Sequence, residues 1–212
     1  MVFSLPGNSA DFLNELTSKR IIIIGNGPSA IGQNRGHDID TFDTIIRINN
    51  FVTDGMETQV GSRTDIWVNG ANQGLKRRSI IPKNILVMIP PSVLARKGDS
   101  IHKRIKNRLS TKQYYMLPID IMTQMEEACE ISRPTTGFFA IYFHYLLGFD
   151  ITLHGFDFFV GTRSHYFDSP IVQWFKDKGI IKKAEKHDVM AEKLFIESLI
   201  NKGDIKLLSQ DS

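Results

Sequence analysis

The hydrophobic pattern opens with a run that does not alternate. Ile21, Ile22, Ile23 and Ile24 stand together and stop at Gly25-Asn26-Gly27-Pro28-Ser29. Four β-branched residues in a row predict a strand covered on both faces, as in a parallel sheet packed between helices. Ligands of such sheets bind outside the carboxyl ends of the strands, where turn glycines let the backbone approach a phosphate or sugar closely. Further apolar runs bounded by turn residues predict strands over 44–49, 64–69, 84–89, 114–117, 151–154 and 205–208. Between them, helical stripes are predicted over 9–18, 70–79, 92–109, 119–129, 138–147 and 186–201, with Gly148 and Gly203 as terminators. A loop rich in Gly and aromatic residues fills 155–170. Strands alternating with helices at this spacing predict an α/β fold: a single Rossmann-like domain over 1–212, its mostly parallel twisted sheet carrying helices on both faces. Residues 1–19 would form a helical arm and 20–212 the core.

Composition narrows the class. A chain of 212 residues with 42% apolar and 23% charged positions sustains one core rather than two. Cys129 is the single cysteine, which rules out an internal disulfide or a multi-cysteine metal site and fits a reducing compartment. The start of the chain lacks a basic segment followed by an apolar one, and the longest apolar stretch, 138–149, is too short to cross a bilayer and is interrupted by His144. A cytoplasmic location is therefore expected.

Charge adds a local feature. The net charge is +3, yet eleven Lys and Arg residues lie between Lys76 and Lys112, opposed by Asp99 alone. This reads as the solvated face of two helices, or as attraction to an anionic acceptor or an anionic membrane surface at the inner face of the membrane. Nucleic acid is not expected, because no aromatic residue is interleaved with those cations.

The glycine turn matches neither the dinucleotide fingerprint nor the P-loop, and Arg47 and Asn49 stand where a dehydrogenase has its ribose-binding acid. Alone, it could be a plain tight turn. The whole string is more specific: Ile23-Ile24-Gly25-Asn26-Gly27-Pro28-Ser29, followed by Ile39-Asp40-Thr41-Phe42-Asp43-Thr44-Ile45-Ile46-Arg47-Ile48-Asn49, resembles the large motif of sialyltransferases. Gly61-Ser62-Arg63-Thr64 lies where that family has a similar segment. Pro134-Thr135-Thr136-Gly137-Phe138 through Gly155-Phe156-Asp157 is similar to its small motif, His165-Tyr166-Phe167-Asp168 to its third motif, and His187 with Glu192 to its very small motif. Asn69 and Arg133 are similar to positions of the bacterial branch that uses CMP-sialic acid.

The resemblance implies an inverting transferase of a CMP-activated 2-keto-3-deoxy acid sugar, with a GT-A-like variant of the Rossmann fold and no metal or other cofactor. Gly25, Asn26, Gly27, Ser29, Asn49, Asn69, Thr135, Thr136, Gly137 and Tyr166 are then the donor-binding residues. Asn26 and Asn49 are carboxamides that donate and accept at once, which suits cytosine and ribose. Thr135, Thr136 and Gly137 precede a helix whose positive end can hold a phosphate or carboxylate. Arg133 would pair with an anionic donor or acceptor group. His187 would be the general base, kept neutral at a helix start, and Glu192 an orienting or structural residue. His165, assisted by Tyr166, would donate to the departing phosphate. Asp38-Ile39-Asp40 only superficially matches a metal-binding Asp-x-Asp pair, and His144 and His154 read as core residues. Neither large nor small motif holds the cysteine that animal enzymes use to link them, which favours a bacterial-type enzyme. The acceptor would be a glycan or lipid-linked glycan. CMP-Kdo as donor, or a catalytically silent CMP-binding module, are the alternatives.

Overall fold

The computed structural model describes residues 20–72, 75–109, 114–157, 165–168 and 188–208. The helix expected over 9–18 and His187, the expected general base, lie outside them. In chain order come β1 (Arg20–Ile24), a 3₁₀ turn (Pro28–Ala30), α1 (Gly36–Asp40), β2 (Thr44–Ile48), α2 (Glu57–Val60), β3 (Ile66–Asn69) and β4 (Asn84–Val87). They are followed by α3 (Pro91–Leu109), β5 (Tyr115–Met116), α4 (Ile119–Cys129), α5 (Thr136–Leu146), β6 (Asp150–His154), α6 (Val189–Lys202) and β7 (Ile205–Leu207).

The seven strands form one sheet in the order β5-β4-β3-β2-β1-β6-β7, and every neighbouring pair is parallel. β1 is an interior strand, in register with Thr44–Arg47 of β2 on one side and Asp150–His154 of β6 on the other. Its four isoleucines are at most 2% exposed. Because side chains alternate across a strand, Ile21 and Ile23 point to the face covered by α4, α5 and α6, while Ile22 and Ile24 meet Ile39 of α1 on the opposite face. The unbroken apolar run is thus two half-strands of core, one for each layer. Farther along, Trp67, Ile85 and Val87 meet Ile101 and Ile105 of α3 on that second face.

α5 is apolar all round, with every residue from Phe138 to His144 buried, as a helix sandwiched between sheet and neighbouring helices must be. Gly203 ends α6 in the left-handed conformation (φ 81°) and its N–H returns to the Ile200 and Leu199 carbonyls. Among the described residues no helix is long and apolar enough to cross a membrane.

Two expectations change. α6 starts at Val189 rather than 186, because Asp188 is its N-cap and accepts from the Ala191 N–H at 3.0 Å. The helix expected over 70–79 does not form among the described residues of that stretch. Its backbone is drawn instead to the end of β2: the Lys76 N–H donates to Asn50 Oδ1 (2.9 Å), and Arg78 donates to the Phe51 carbonyl (2.9 Å) and lies 3.7 Å from the Phe51 ring centre. Tertiary hydrogen bonds and a cation–π contact here outweigh helix propensity. The basic region therefore divides between this extended segment and α3.

Candidate active site at the strand ends

Since β6, β1, β2 and β3 lie side by side and parallel, the residues that follow them are delivered to one edge of the sheet. Gly25 and Gly27 close that edge over β6. Their N–H groups donate to the carbonyls of His154 (2.7 Å) and Gly155 (2.9 Å), extending the β1/β6 pairing past both strands. A Cβ on Gly25 would lie 2.2 Å from the Gly155 oxygen, and one on Gly27 would lie 2.0 Å from Asp157 Oδ2. Glycine is required at both positions for space rather than for a left-handed backbone, as Gly27 has φ −70°.

Three carboxamides follow on adjacent strands. Asn26 donates through Nδ2 to the Ile48 carbonyl (2.8 Å), which leaves Oδ1 without a partner among the described residues. Asn49 has φ 50°, a conformation asparagine reaches more readily than most residues. It accepts from Trp67 Nε1 through its carbonyl (2.7 Å) and from the Gly70 N–H through Oδ1 (3.0 Å), keeping Nδ2 for another acceptor. Asn69 is fully buried, accepts from the Ala71 N–H (3.2 Å), and its Nδ2 finds no hydrogen-bond partner among the described residues. The edge thus presents one amide acceptor and two amide donors, without formal charge.

The first turn of α5 faces the same edge. Thr136 Oγ1 approaches Gly70 so closely that a Cβ there would sit 2.4 Å away, and Gly137 packs against Phe156 and Ile48. By helix geometry the N–H groups of Thr136 and Gly137 have no partner in their own helix. Thr135 is differently employed from its neighbours. Its Oγ1 caps the helix, accepting from the Phe138 N–H (3.2 Å), and donates to Glu192 Oε2 (2.6 Å), while its N–H donates to Glu192 Oε1 (2.7 Å). Glu192, 1% exposed, therefore ties the start of α6 to the start of α5.

Burial pushes the Glu192 carboxyl up to about 7, against the two hydrogen bonds from Thr135 that favour its ionised form. The folded state thus holds this proton more tightly than the unfolded chain, where a glutamate titrates near 4.5. Its stabilising contribution is complete below that lower value and is lost as pH rises from about 4.5 to about 7, on the order of 3 kcal/mol in all. Urea denaturation across that range should show the decline. Glu192→Gln, which keeps the shape and titrates nowhere, should flatten it; an unchanged slope would show that the titration lies elsewhere.

The third motif is tied directly to the glycine turn, since the Tyr166 N–H donates to the Asn26 carbonyl (3.1 Å). His165 is thereby brought beside Asn26, its N–H donating to Asp168 Oδ2 (2.7 Å) and its ring stacked on Phe167 at 5.2 Å. The Tyr166 hydroxyl is fully engaged by the backbone of Val52: it donates to the carbonyl (2.6 Å) and accepts from the N–H (3.1 Å). Tyr166 holds two loops together rather than offering its hydroxyl to a phosphate.

The Ser29 N–H donates to Asp157 Oδ2 (3.1 Å), a bond that does not involve its hydroxyl. The carboxylate of Asp157 thus lies directly against the glycine turn. The closing Gly155-Phe156-Asp157 of the small motif contained that residue, but its partner could be found only by pairing β6 with β1. Arg133 stands just before α5 in the left-handed conformation (φ 53°) and near Glu126, whose carboxyl burial raises and the Arg133 charge lowers.

Asp38 and Asp40 are structural anchors. Asp38 pairs with Arg35 (2.9 Å), and Asp40 accepts from the N–H and hydroxyl of Ser62 and the N–H of Arg63. Burial works against the charge of Asp40, but these bonds hold its carboxyl below the usual range. Among the described residues no group of three His, Cys, Asp or Glu side chains could hold a metal ion. His144 and His154 are core residues bonded to the Ala140 (2.6 Å) and Ala30 (3.1 Å) carbonyls, and burial pushes His144 down to about 4.

Comparison with known proteins shows the family. The chain is 27% identical over 222 residues to the rat type 2 lactosamine α-2,3-sialyltransferase, covering 91% of this chain and 65% of the length of that protein. The structure superimposes on a mammalian sialyltransferase in complex with Gal-β-1-3GalNAc-ortho-nitrophenol with a TM-score of 0.65 at 16% identity, over 92% of this chain and 71% of the other. It also superimposes on a variant of the sialyltransferase CST-II in complex with CMP, with a TM-score of 0.59 at 17% identity, over 92% and 83% of the two chains. The model of glycosyltransferase family 29 (sialyltransferase) matches residues 2–204. The chain accordingly belongs to glycosyltransferase family 29, the sialyltransferases.

Proposed function

We propose that this chain transfers sialic acid from CMP-sialic acid to a hydroxyl of an acceptor glycan, with inversion and without a metal ion. The observation that carries this reading is the convergence of Asn26, Asn49 and Asn69 from three adjacent strands on the first turn of α5. Uncharged amides on one side and a helix N-terminus on the other complement a nucleoside and an anion respectively. Asn26 Oδ1 would accept from the cytosine amino group and Asn49 Nδ2 would donate to an oxygen of the cytidine. Asn69 Nδ2, buried and lacking a partner among the described residues, would be satisfied by a sugar hydroxyl. The N–H groups of Thr136 and Gly137 would receive the donor's phosphate or carboxylate.

His187 would remove the proton of the acceptor hydroxyl as its oxygen attacks the anomeric carbon from the face opposite CMP. His165, held beside Asn26, would donate to the phosphate as it leaves. A single leaving phosphate carries less charge than a diphosphate, which one or two side-chain donors can stabilise in place of a divalent cation.

A donor screen that measures CMP release in the presence of a galactoside and EDTA tests the whole reading. Turnover of CMP-sialic acid that survives the chelator is expected. Turnover with CMP-Kdo alone would reassign the donor, loss on chelation would end the metal-free mechanism, and CMP binding without turnover of either sugar would mark a silent module.

A further inference from the structure

Beside the strand-end site lies a cavity of about 410 Å³. It begins at Asn50, the residue after Asn49, and reaches Phe167, two residues after His165. One wall is the extended segment that carries Lys76, Arg77 and Arg78, and Ser62 and Thr64 contribute hydroxyls opposite. Asp54 is the one acid among the residues that line it, against three cations.

Two of the three cations are not consumed by the fold. Lys76 and Arg77 are exposed and make no ion pair among the described residues. Arg78 is half-buried and fixed: one terminal nitrogen donates to the Phe51 carbonyl (2.9 Å), and its guanidinium lies 3.7 Å from the Phe51 ring centre. Its Nε is buried and finds no hydrogen-bond partner among the described residues. Behind it, Arg47 lies 5.6 Å from the same ring and donates to Thr64 Oγ1 (3.1 Å), adding a second buried positive charge to that wall. Ile80, 80% exposed, and Phe167 give the cavity apolar surface on which a sugar ring can pack.

We propose that this cavity binds an anionic group, a carboxylate or a phosphate monoester, of the acceptor saccharide, so that the preferred acceptor is an acidic sugar rather than a neutral one. The inference rests on the transfer reading given above for the neighbouring site. The donor's own anionic groups are matched by the start of α5, on the other side of Asn49, which leaves these cations to the second substrate. A rigid planar guanidinium flanked by two exposed cations suits a small oxyanion carried on a ring.

The test compares methyl β-galactoside with methyl β-galacturonate and methyl β-galactoside 6-phosphate as acceptors, with CMP release from CMP-sialic acid as readout. For at least one acidic acceptor, kcat/KM should exceed the neutral value by roughly tenfold or more, mostly through KM, as expected for hydrogen bonds to a charged group. The preference should weaken with salt. The order of the two acidic acceptors tells carboxylate from phosphate. The double variant Lys76→Gln/Arg77→Gln, altered only at exposed side chains, should lose most of the preference while turning over the neutral galactoside at the wild-type rate. Arg78→Lys, which keeps the charge but not the fork, should lose it as well. Equal kcat/KM for all three acceptors, or a preference that survives both variants, overturns the proposal and leaves the transfer reading intact. Should no acceptor support CMP release, titration calorimetry of the CMP-saturated protein with galactose 6-phosphate, galacturonate and galactose still decides. Tighter binding of an acidic sugar, abolished in the double variant, upholds the acidic subsite; equal binding refutes it.

Discussion

Arg47→Ala should cost about 3–5 kcal/mol of folding stability, since several buried acceptors lose their donor at about 1–3 kcal/mol each and a void is left behind. The side chain is fully buried in β2 and organises the chain that leads into β3. It donates to the carbonyls of Val60 (2.6 Å), Gly61 (3.1 Å) and Arg63 (3.0 Å), as well as to Thr64 Oγ1. Burial lowers its pKa to about 10, so the guanidinium remains protonated at neutral pH. Removing it leaves backbone acceptors in the interior without donors and opens a large void beside Phe51 and Trp67. Arg47→Met fills more of that void but restores no donor, so it should be intermediate. Against a typical total stability of about 5–15 kcal/mol, the alanine change brings the fold close to its limit. Urea denaturation read by tryptophan fluorescence measures it directly, because Trp67 is one of the packed neighbours. A loss below about 1 kcal/mol would mean that water enters and takes over the four bonds.

The second large effect concerns chemistry. On the proposed mechanism, His187→Ala lowers kcat by about 10²–10⁴-fold, the usual share of a general base, while the dissociation constant for CMP changes little. A near-normal rate would transfer the role to another group, and His165, beside Asn26, would be the next to replace.

The central part of the molecule was legible from residue order because its signals are local. Four adjacent isoleucines admit one reading, a strand covered on both faces, and β1 has that form. The glycine turn was equally readable, though its meaning shifted: Gly25 and Gly27 are required because Gly155 and Asp157 press against them. That pressure comes from β6, which no pattern around residue 25 could announce. For the same reason Tyr166 reads as a ligand-binding group, whereas Val52 engages its hydroxyl in the structure. Hydrogen-bonding capacity is visible in a residue type, but whether the fold has already spent it is not.

The segment after β3 illustrates the opposite error. Residues 70–79 have composition compatible with a helix, and the bonds that straighten them come from Asn50 and Phe51, over twenty residues earlier. The cavity beside the site exists because that segment is extended, so it could not have been foreseen either. Glu192 lay between these extremes. Its motif position was readable, but its attachment to Thr135 depends on how α5 and α6 pack.

The interior position of β1 also governs how the chain must fold. Ile21 pairs with Thr44 through a short connection, but its other partner, Ile151, lies about 130 residues away, a separation that makes parallel pairing slow. During synthesis β1 can find β2, β3 and β4 while the edge destined for β6 still bears unpaired backbone beside four isoleucines. Such an edge is a template for wrong partners until residues 150–154 arrive. Fragments ending before Asp150 should therefore aggregate, and expression at low temperature or with a chaperone should favour the soluble full-length chain.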